Sequence, residues 1–203
     1  FNTRRVNLPC IMQSIGLLQF RYRGVKHPEI DGLMVAPAHL KAIDLHSGRI
    51  VWTLDGIWSV YMEPCFTEHS LFLVGIDVDM PEEPDRSQIE AVLELCDDPG
   101  RYEIACFDID SGVKKWSRSL YICGDSGQTM AVDGAVVSLE RKQAWAGPPP
   151  CFLPIYVCVR SEESGDMLHE MELPLRFFCA RIAGADGPIV FIEGFCSNGE
   201  TSI

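Results

Sequence analysis

KAIDLHSGRIVW, residues 41–52, returns sixty-four positions later as ACFDIDSGVKKW, residues 105–116. Each copy places an Asp four residues before a Gly and a Trp four residues after it. The unit reads as a hairpin. A strand ends at Asp44, Leu45-His46-Ser47 make the turn, Gly48 supplies a permissive backbone, and the chain returns through RIVW. An Asp entering a turn accepts hydrogen bonds from the amides that follow, which holds the hairpin closed. Gly takes a positive φ or a bulge at low cost. Trp is large and apolar with one N–H to satisfy, and suits a wedge between one small sheet and the next. Asp44 and Asp108 are therefore expected as turn braces, not catalytic acids.

Asp108, Ser111, Gly112 and Trp116 repeat Asp44, Ser47, Gly48 and Trp52. A third copy, IYVCVRSEESGDMLHEMEL, keeps Ser164 and Gly165 but has Ser161 for the Asp and His169 for the Trp. The Gly-to-Gly intervals are 64 and 53 residues. Without the insertion described next, the first falls to roughly 40, a period typical of propeller blades with about four strands each.

Around the motifs, short alternating runs dominate: GLMVAP, LKAIDL, GRIVWTL, WSVYMEPCF, SLFLVGID, YEIACFDI, VKKWSRSLYI, TMAVDG, AVVSLE, PIYVCVR, DMLHEMELP, LRFFCARI and PIVFIEG. Turn signals separate nearly all of them, and little chain remains for crossover helices. An antiparallel all-β architecture follows. Two stretches interrupt it. DVDMPEEPDRSQIEAVLELCDDPGR (77–101) carries nine acidic residues. There Ser87 and Glu90 have capping-box spacing, and Ile89, Val92, Leu93 and Cys96 fall on one helical stripe, so one short helix is expected. AWAGPPPCFLP (144–154) contains four Pro and reads as a stiff loop.

Composition narrows the function classes. The chain of 203 residues is 47% apolar and 23% charged, the balance of a folded domain. No stretch has the length to cross a bilayer as a helix, and no membrane partner is expected. The first residues lack a signal-like apolar run and an initiator Met, consistent with a processed form or a piece of something longer. The net charge of −12 is uneven: residues 1–56 carry seven Lys/Arg against four Asp/Glu, and the remainder ten against twenty-five. That acidic body disfavours nucleic acid, whose binding begins by neutralising phosphates. Nine Cys without a C-x-x-C pair favour free thiols in a reducing, intracellular and cytoplasmic setting, although pairs meeting in space stay open. Cys106, Cys158 and Cys179 sit in apolar runs and are expected to be buried. The five His form no metal-ligand cluster, and no G-x-S-x-G occurs.

The repeated unit resembles the quinoprotein-type β-propeller repeat, A-x-D-x-x-T-G-x-x-x-W, and more broadly WD-type propellers. Ala42, Asp44, Ser47, Gly48 and Trp52 match it, as do Asp108, Ser111, Gly112 and Trp116, with Cys106 for the Ala. The resemblance implies a β-propeller of four-stranded antiparallel blades, with each motif joining a third strand to an outer strand and the Trp docking on the next blade. The expected blades span about 17–55, 58–121 and 128–174, with 175–203 opening an incomplete fourth and insertions at 78–101 and 144–154. Three blades and a start suggest a partial propeller, or less readily a compact four-bladed closure.

Enzymes of the resembled family use pyrroloquinoline quinone (PQQ) with calcium. Here no Cys–Cys pair occurs, Trp52 and Trp116 are spent on the motif, and Trp58 begins a strand where core packing is expected. No cofactor is therefore expected, with PQQ and calcium entering only under the alternative of a dehydrogenase-like enzyme. The favoured expectation is a non-catalytic protein-interaction scaffold whose partner has a basic surface. Glu82, Glu83, Asp85, Glu90 and Glu94 of the acidic insertion and Trp145 of the Pro-rich loop are its candidate contacts. A second alternative by resemblance is the substrate-recognition region of an F-box-type adaptor.

Overall fold

The computed structural model describes residues 5–12, 15–21, 25–26, 34–35, 38–54, 56–58, 64–78, 87–88, 91, 101–120, 128–141, 154–174, 177–196 and 201–202. Side chains are described over 40–54, 56, 58, 64–78, 87–88, 91, 101–120, 128–141, 154–174 and 180–194. Eighteen elements run through these residues, and all are strands.

The first blade pairs β1 (Arg5–Met12), β2 (Ile15–Arg21), β5 (Ala38–Asp44) and β6 (Ile50–Leu54) in antiparallel order. A separate two-stranded ribbon, β3 (Val25–Lys26) with β4 (Met34–Val35), lies between its second and third strands in sequence. In the second blade β7 (Ile57–Trp58) and β8 (Cys65–Phe66) both pair with β9 (Ser70–Ile76), which is followed by β10 (Glu103–Asp108) and β11 (Lys114–Ser119). The third blade is β12 (Thr129–Val132), β13 (Ala135–Glu140), β14 (Tyr156–Ser161) and β15 (Met167–Glu172). A last sheet holds β16 (Phe177–Asp186), β17 (Ile189–Cys196) and β18 (Thr201–Ser202). One parallel pair, Ala38 with Ile57, joins the first two blades into a continuous nine-stranded sheet.

The expected short helix is corrected here. No helix stands among the elements of the described residues. Only Ser87, Gln88 and Ala91 of that stretch are described, locally helical in backbone and exposed. The capping partner Glu90 and the apolar stripe fall outside the described residues. A helix of about three turns is marginal by itself, because it gains few backbone bonds to offset the cost of nucleation.

The core is divided among the junctions between sheets. Leu40, Ala42 and Trp52 of the first blade pack against Trp58, Leu71, Leu73, Ala105 and Phe107 of the second. Phe72, Val74, Ile104, Cys106 and Trp116 pack the other way, against Val136 of the third. Val137, Leu139, Val157 and Leu173 of the third meet Ala180, Ile182 and Ile192 of the last sheet. Alternate residues of β9 thus serve opposite junctions, so the strand is buried from end to end and reads SLFLVGI. Of the outer strand β11 only Trp116 is buried.

One face of the third blade carries a buried charge. The Arg160 guanidinium pairs with the Glu140 carboxylate and donates to Ser138 Oγ at 2.9 Å. Ser138 Oγ donates in turn to Glu140 Oε1 at 2.6 Å. Each is at most 5% exposed. Paired and hydrogen-bonded, the two charges meet the condition under which burial is tolerated.

Candidate functional site: the turn rim and the blade junctions

The three repeated turns have one backbone geometry. The amides of Gly48, Gly112 and Gly165 donate to the carbonyls of Asp44, Asp108 and Ser161 at 2.7, 2.8 and 2.9 Å. Those same three residues donate back to the carbonyls of Arg49, Val113 and Asp166. The glycine φ angles are +68, +70 and +72°, where a Cβ is unfavourable. Each third strand also shifts register at the same motif position, after Ala42, Cys106 and Val159. A shared bulge is hard to obtain from unrelated hairpins.

The braces work as turn chemistry predicts. Asp44 Oδ1 accepts from the amides of His46 and Ser47 at 2.8 Å each. Asp108 Oδ1 accepts from the Ser111 amide at 3.0 Å and its hydroxyl at 2.7 Å. Ser161 replaces the carboxylate in the third copy, its Oγ accepting from Glu163 and Ser164 at 3.2 and 3.3 Å. Degenerate in sequence, that turn is intact in structure.

These bonds hold the Asp108 carboxyl below the usual range, Ser111 being the main cause through its hydroxyl and its amide. Asp44 is lowered by the amides of Ser47 and His46. A lowered folded value means that the brace stabilises the fold above the ordinary Asp value, 3.8, and ceases to as the pH falls through the folded value. Asp108→Ala should therefore melt earlier than the parent at neutral pH. That gap should narrow as the pH is taken from about 4 toward 2. Thermal unfolding in a buffer series measures it, and a gap unchanged across that range contradicts the brace.

The indoles close the junctions. Trp52 Nε1 donates to the Ile109 carbonyl at 2.9 Å, and a Cβ added at Gly112 would lie 2.8 Å from Trp52 Cγ and Cδ2. Trp116 Nε1 donates to the Glu162 carbonyl at 2.7 Å, and a Cβ on Gly165 would lie 2.6 Å from Trp116 Cε3. Each Trp of one blade therefore rests on the Gly of the next. In the third copy His169 is exposed on β15. The acceptors Ile109 and Glu162 escape sequence reading because the chain offers them through backbone carbonyls, which any residue supplies.

Further bonds gather the turns on one rim. The Ile109 amide donates to the His69 carbonyl in the β8–β9 turn, and the Glu162 amide to the Gly134 carbonyl in the β12–β13 turn, so the second and third repeated turns are each tied to another turn of their own blade. Thr67 Oγ1 donates to Glu162 Oε1 at 2.6 Å, linking the second blade to the third. An open cavity of about 500 Å³ lies there, lined by His69, Ser70, Lys115, Gly134, Ser161, Glu162 and Glu163. Lys115 Nζ donates to the His69 carbonyl and Ser70 Oγ, and stands 3.6 Å from Asp108 Oδ2. Arg118 reaches across to the Ser164 carbonyl and Asp166, whose carboxyl is lowered by the Ser164 hydroxyl and by Arg118. The connections between second and third strands leave from the opposite strand ends, because neighbouring strands are antiparallel.

The proposed contacts Glu82, Glu83, Asp85, Glu90, Glu94 and Trp145 lie outside the described residues. Cys65, Cys106 and Cys158 are free thiols. Burial pushes Cys106 up and both Cys65 and Cys158 up to about 12, far from a nucleophile's range. A quinone would require an indole face to stack on. Trp52 and Trp116 lie over Gly112 and Gly165, and Trp58 is 1% exposed with its ring edge-on to Phe107 at 5.2 Å. The described indoles do not fit that group, and no described trio of His, Cys, Asp or Glu is arranged for a metal ion.

No family model matches the sequence, and no curated protein does. Among solved structures, a europium-containing methanol dehydrogenase is similar at 10% identity and TM-score 0.48, over 85% of this chain and 26% of that one. The quinohemoprotein alcohol dehydrogenase of Comamonas testosteroni is 13% identical with TM-score 0.46, over 84% of this chain and 21% of that one. BamB of Moraxella catarrhalis is 13% identical with TM-score 0.48, over 93% of this chain and 48% of that one. The chain thus spans about a quarter, a fifth and a half of these proteins. The expected cytoplasmic placement is corrected: two dehydrogenases and BamB give it no support, and three free thiols do not define a compartment.

Proposed function

We propose that the chain is a non-catalytic protein-interaction module that presents its turn rim to a partner with a basic surface. The observation that carries this reading is charge placement. Glu68, Asp110, Asp133, Glu163, Asp166 and Asp186 are all exposed, and all belong to turns or turn flanks of the second blade, the third blade and the last sheet. Hydrogen bonds fix these turns to one another in the second and third blades, so all of these carboxylates but Asp186 stand on a preorganised surface. A rigid acidic surface speeds encounter with a cationic partner and loses little entropy on binding.

Titration with a Lys/Arg-rich peptide tests the reading. Binding should weaken as salt rises, and the double variant Asp110→Asn, Glu163→Gln should bind about tenfold more weakly, as expected from losing two steering charges. Affinity unchanged by salt or by the double variant contradicts the acidic rim. Dye reduction on adding PQQ and calcium contradicts the non-catalytic assignment.

A further inference from the structure

Three copies of one turn stand among the described residues, and two of them carry a described indole. Trp52 covers the Gly112 turn and Trp116 covers the Gly165 turn, each with its N–H on the carbonyl that follows the brace. The Gly48 turn has the same φ, the same closing bonds and the same brace. Yet a Cβ built on Gly48 meets nothing within 4 Å.

Its surroundings match an open socket. Leu45 occupies the position of Ile109, and where Ile109 under Trp52 is 4% exposed, Leu45 is 45% exposed. No described donor reaches the Leu45 carbonyl, the counterpart of the two carbonyls that accept an indole N–H. Ile50 and Val51 beside it are 55% and 47% exposed. An apolar rim around one unused carbonyl is the chemistry that an indole satisfies, since its ring is apolar and its N–H needs one acceptor.

We infer that the Gly48 turn is a docking socket for a tryptophan presented on a β-strand of a partner polypeptide. The filled sockets define this occupant, because both are served by the third residue of an outer strand. The described tryptophans of a second copy are poor sources: Trp52, Trp58 and Trp116 are each at most 8% exposed. The inference rests on the reading of the chain as an interaction module and adds to it the chemistry of one contact. This contact lies on the first blade, away from the acidic turns.

The test uses the intact chain and a synthetic hairpin peptide copying residues 103–119, with a control peptide carrying Ala for its Trp. Amide shifts are followed by NMR. The Trp peptide should shift Leu45 to Ile50, and the Ala peptide should do so at least about tenfold more weakly, the loss typical of removing a buried aromatic anchor. Gly48→Asn keeps a residue that tolerates positive φ and places a side chain where the ring would lie. It should abolish the shifts. The Ala peptide tests the same point without altering the protein, should that variant not fold. Equal shifts from both peptides, or none at Leu45 to Ile50, overturn the socket. Shifts confined to the acidic turns and alike for both peptides overturn the socket while leaving the interaction module standing. Self-association through the same turn, abolished by Trp145→Ala, would name a second copy as occupant and also overturn the proposal.

Discussion

Trp52→Ala lowers the stability of the folded chain by about 3–5 kcal/mol, the range for truncating a buried Trp to Ala. Trp52 is 8% exposed, and it joins two sheets that otherwise share one parallel bridge pair and a set of apolar contacts. Its removal leaves a cavity over Gly112 and strips the Ile109 carbonyl of its donor. Trp52→Phe keeps most of the ring and loses the N–H, so it should cost less, with about 1 kcal/mol from the hydrogen bond alone. Trp116→Ala should match Trp52→Ala, because it does the same work at the next junction. Denaturant midpoints read all three variants. A cost within about 0.5 kcal/mol for Trp52→Ala, the size of an ordinary surface change, contradicts the junction.

Gly112→Ala should cost far more than Gly48→Ala, although the two glycines share sequence context and φ. Both alanines bear the strain of a left-handed backbone, about 1–2 kcal/mol. Only at Gly112 does the methyl also meet an indole, at 2.8 Å, closer than real Cβ contacts allow. Overpacking of that kind adds about 1–3 kcal/mol, because Trp52 must leave its carbonyl or the blades must part. Gly165→Ala belongs with Gly112, its Cβ lying 2.6 Å from Trp116. Equal losses at Gly48 and Gly112 would mean that no ring rests on the second turn.

Much of this arrangement was legible because turns are local. Asp44 and Asp108 could be assigned as braces from spacing alone, since their partners lie within three residues. Trp58 was expected in the core and is there. Other features depend on distant chain. Strand β1 escaped because RVNLPCIM breaks alternation at Pro9. The structure places that proline within a register shift between Asn7 and Cys10, where a strand tolerates it. Glu140 and Arg160 end two strand runs with no local sign of pairing, and only their meeting across β13 and β14 shows how both are buried. The third motif read as degenerate because sequence compares side chains. Ser161 performs the brace through its hydroxyl, and the surviving Gly165 receives Trp116 as Gly112 receives Trp52. The short helix is a different case: a capping pattern and apolar spacing describe a propensity, and no helix stands among the elements of the described residues.

The docking of each indole on the following glycine is tested most directly by a double-mutant cycle at the first junction. With Trp52 already replaced by Ala, Gly112→Ala should cost only the backbone strain that Gly48→Ala costs. The double variant should thus lie about 1–3 kcal/mol closer to the parent than the sum of the single losses. Trp52→Ala combined with Gly165→Ala, at a different junction, serves as the additive control. Losses at Trp52 and Gly112 that add within about 0.5 kcal/mol would place the ring and the glycine apart and contradict the stacking of these sheets.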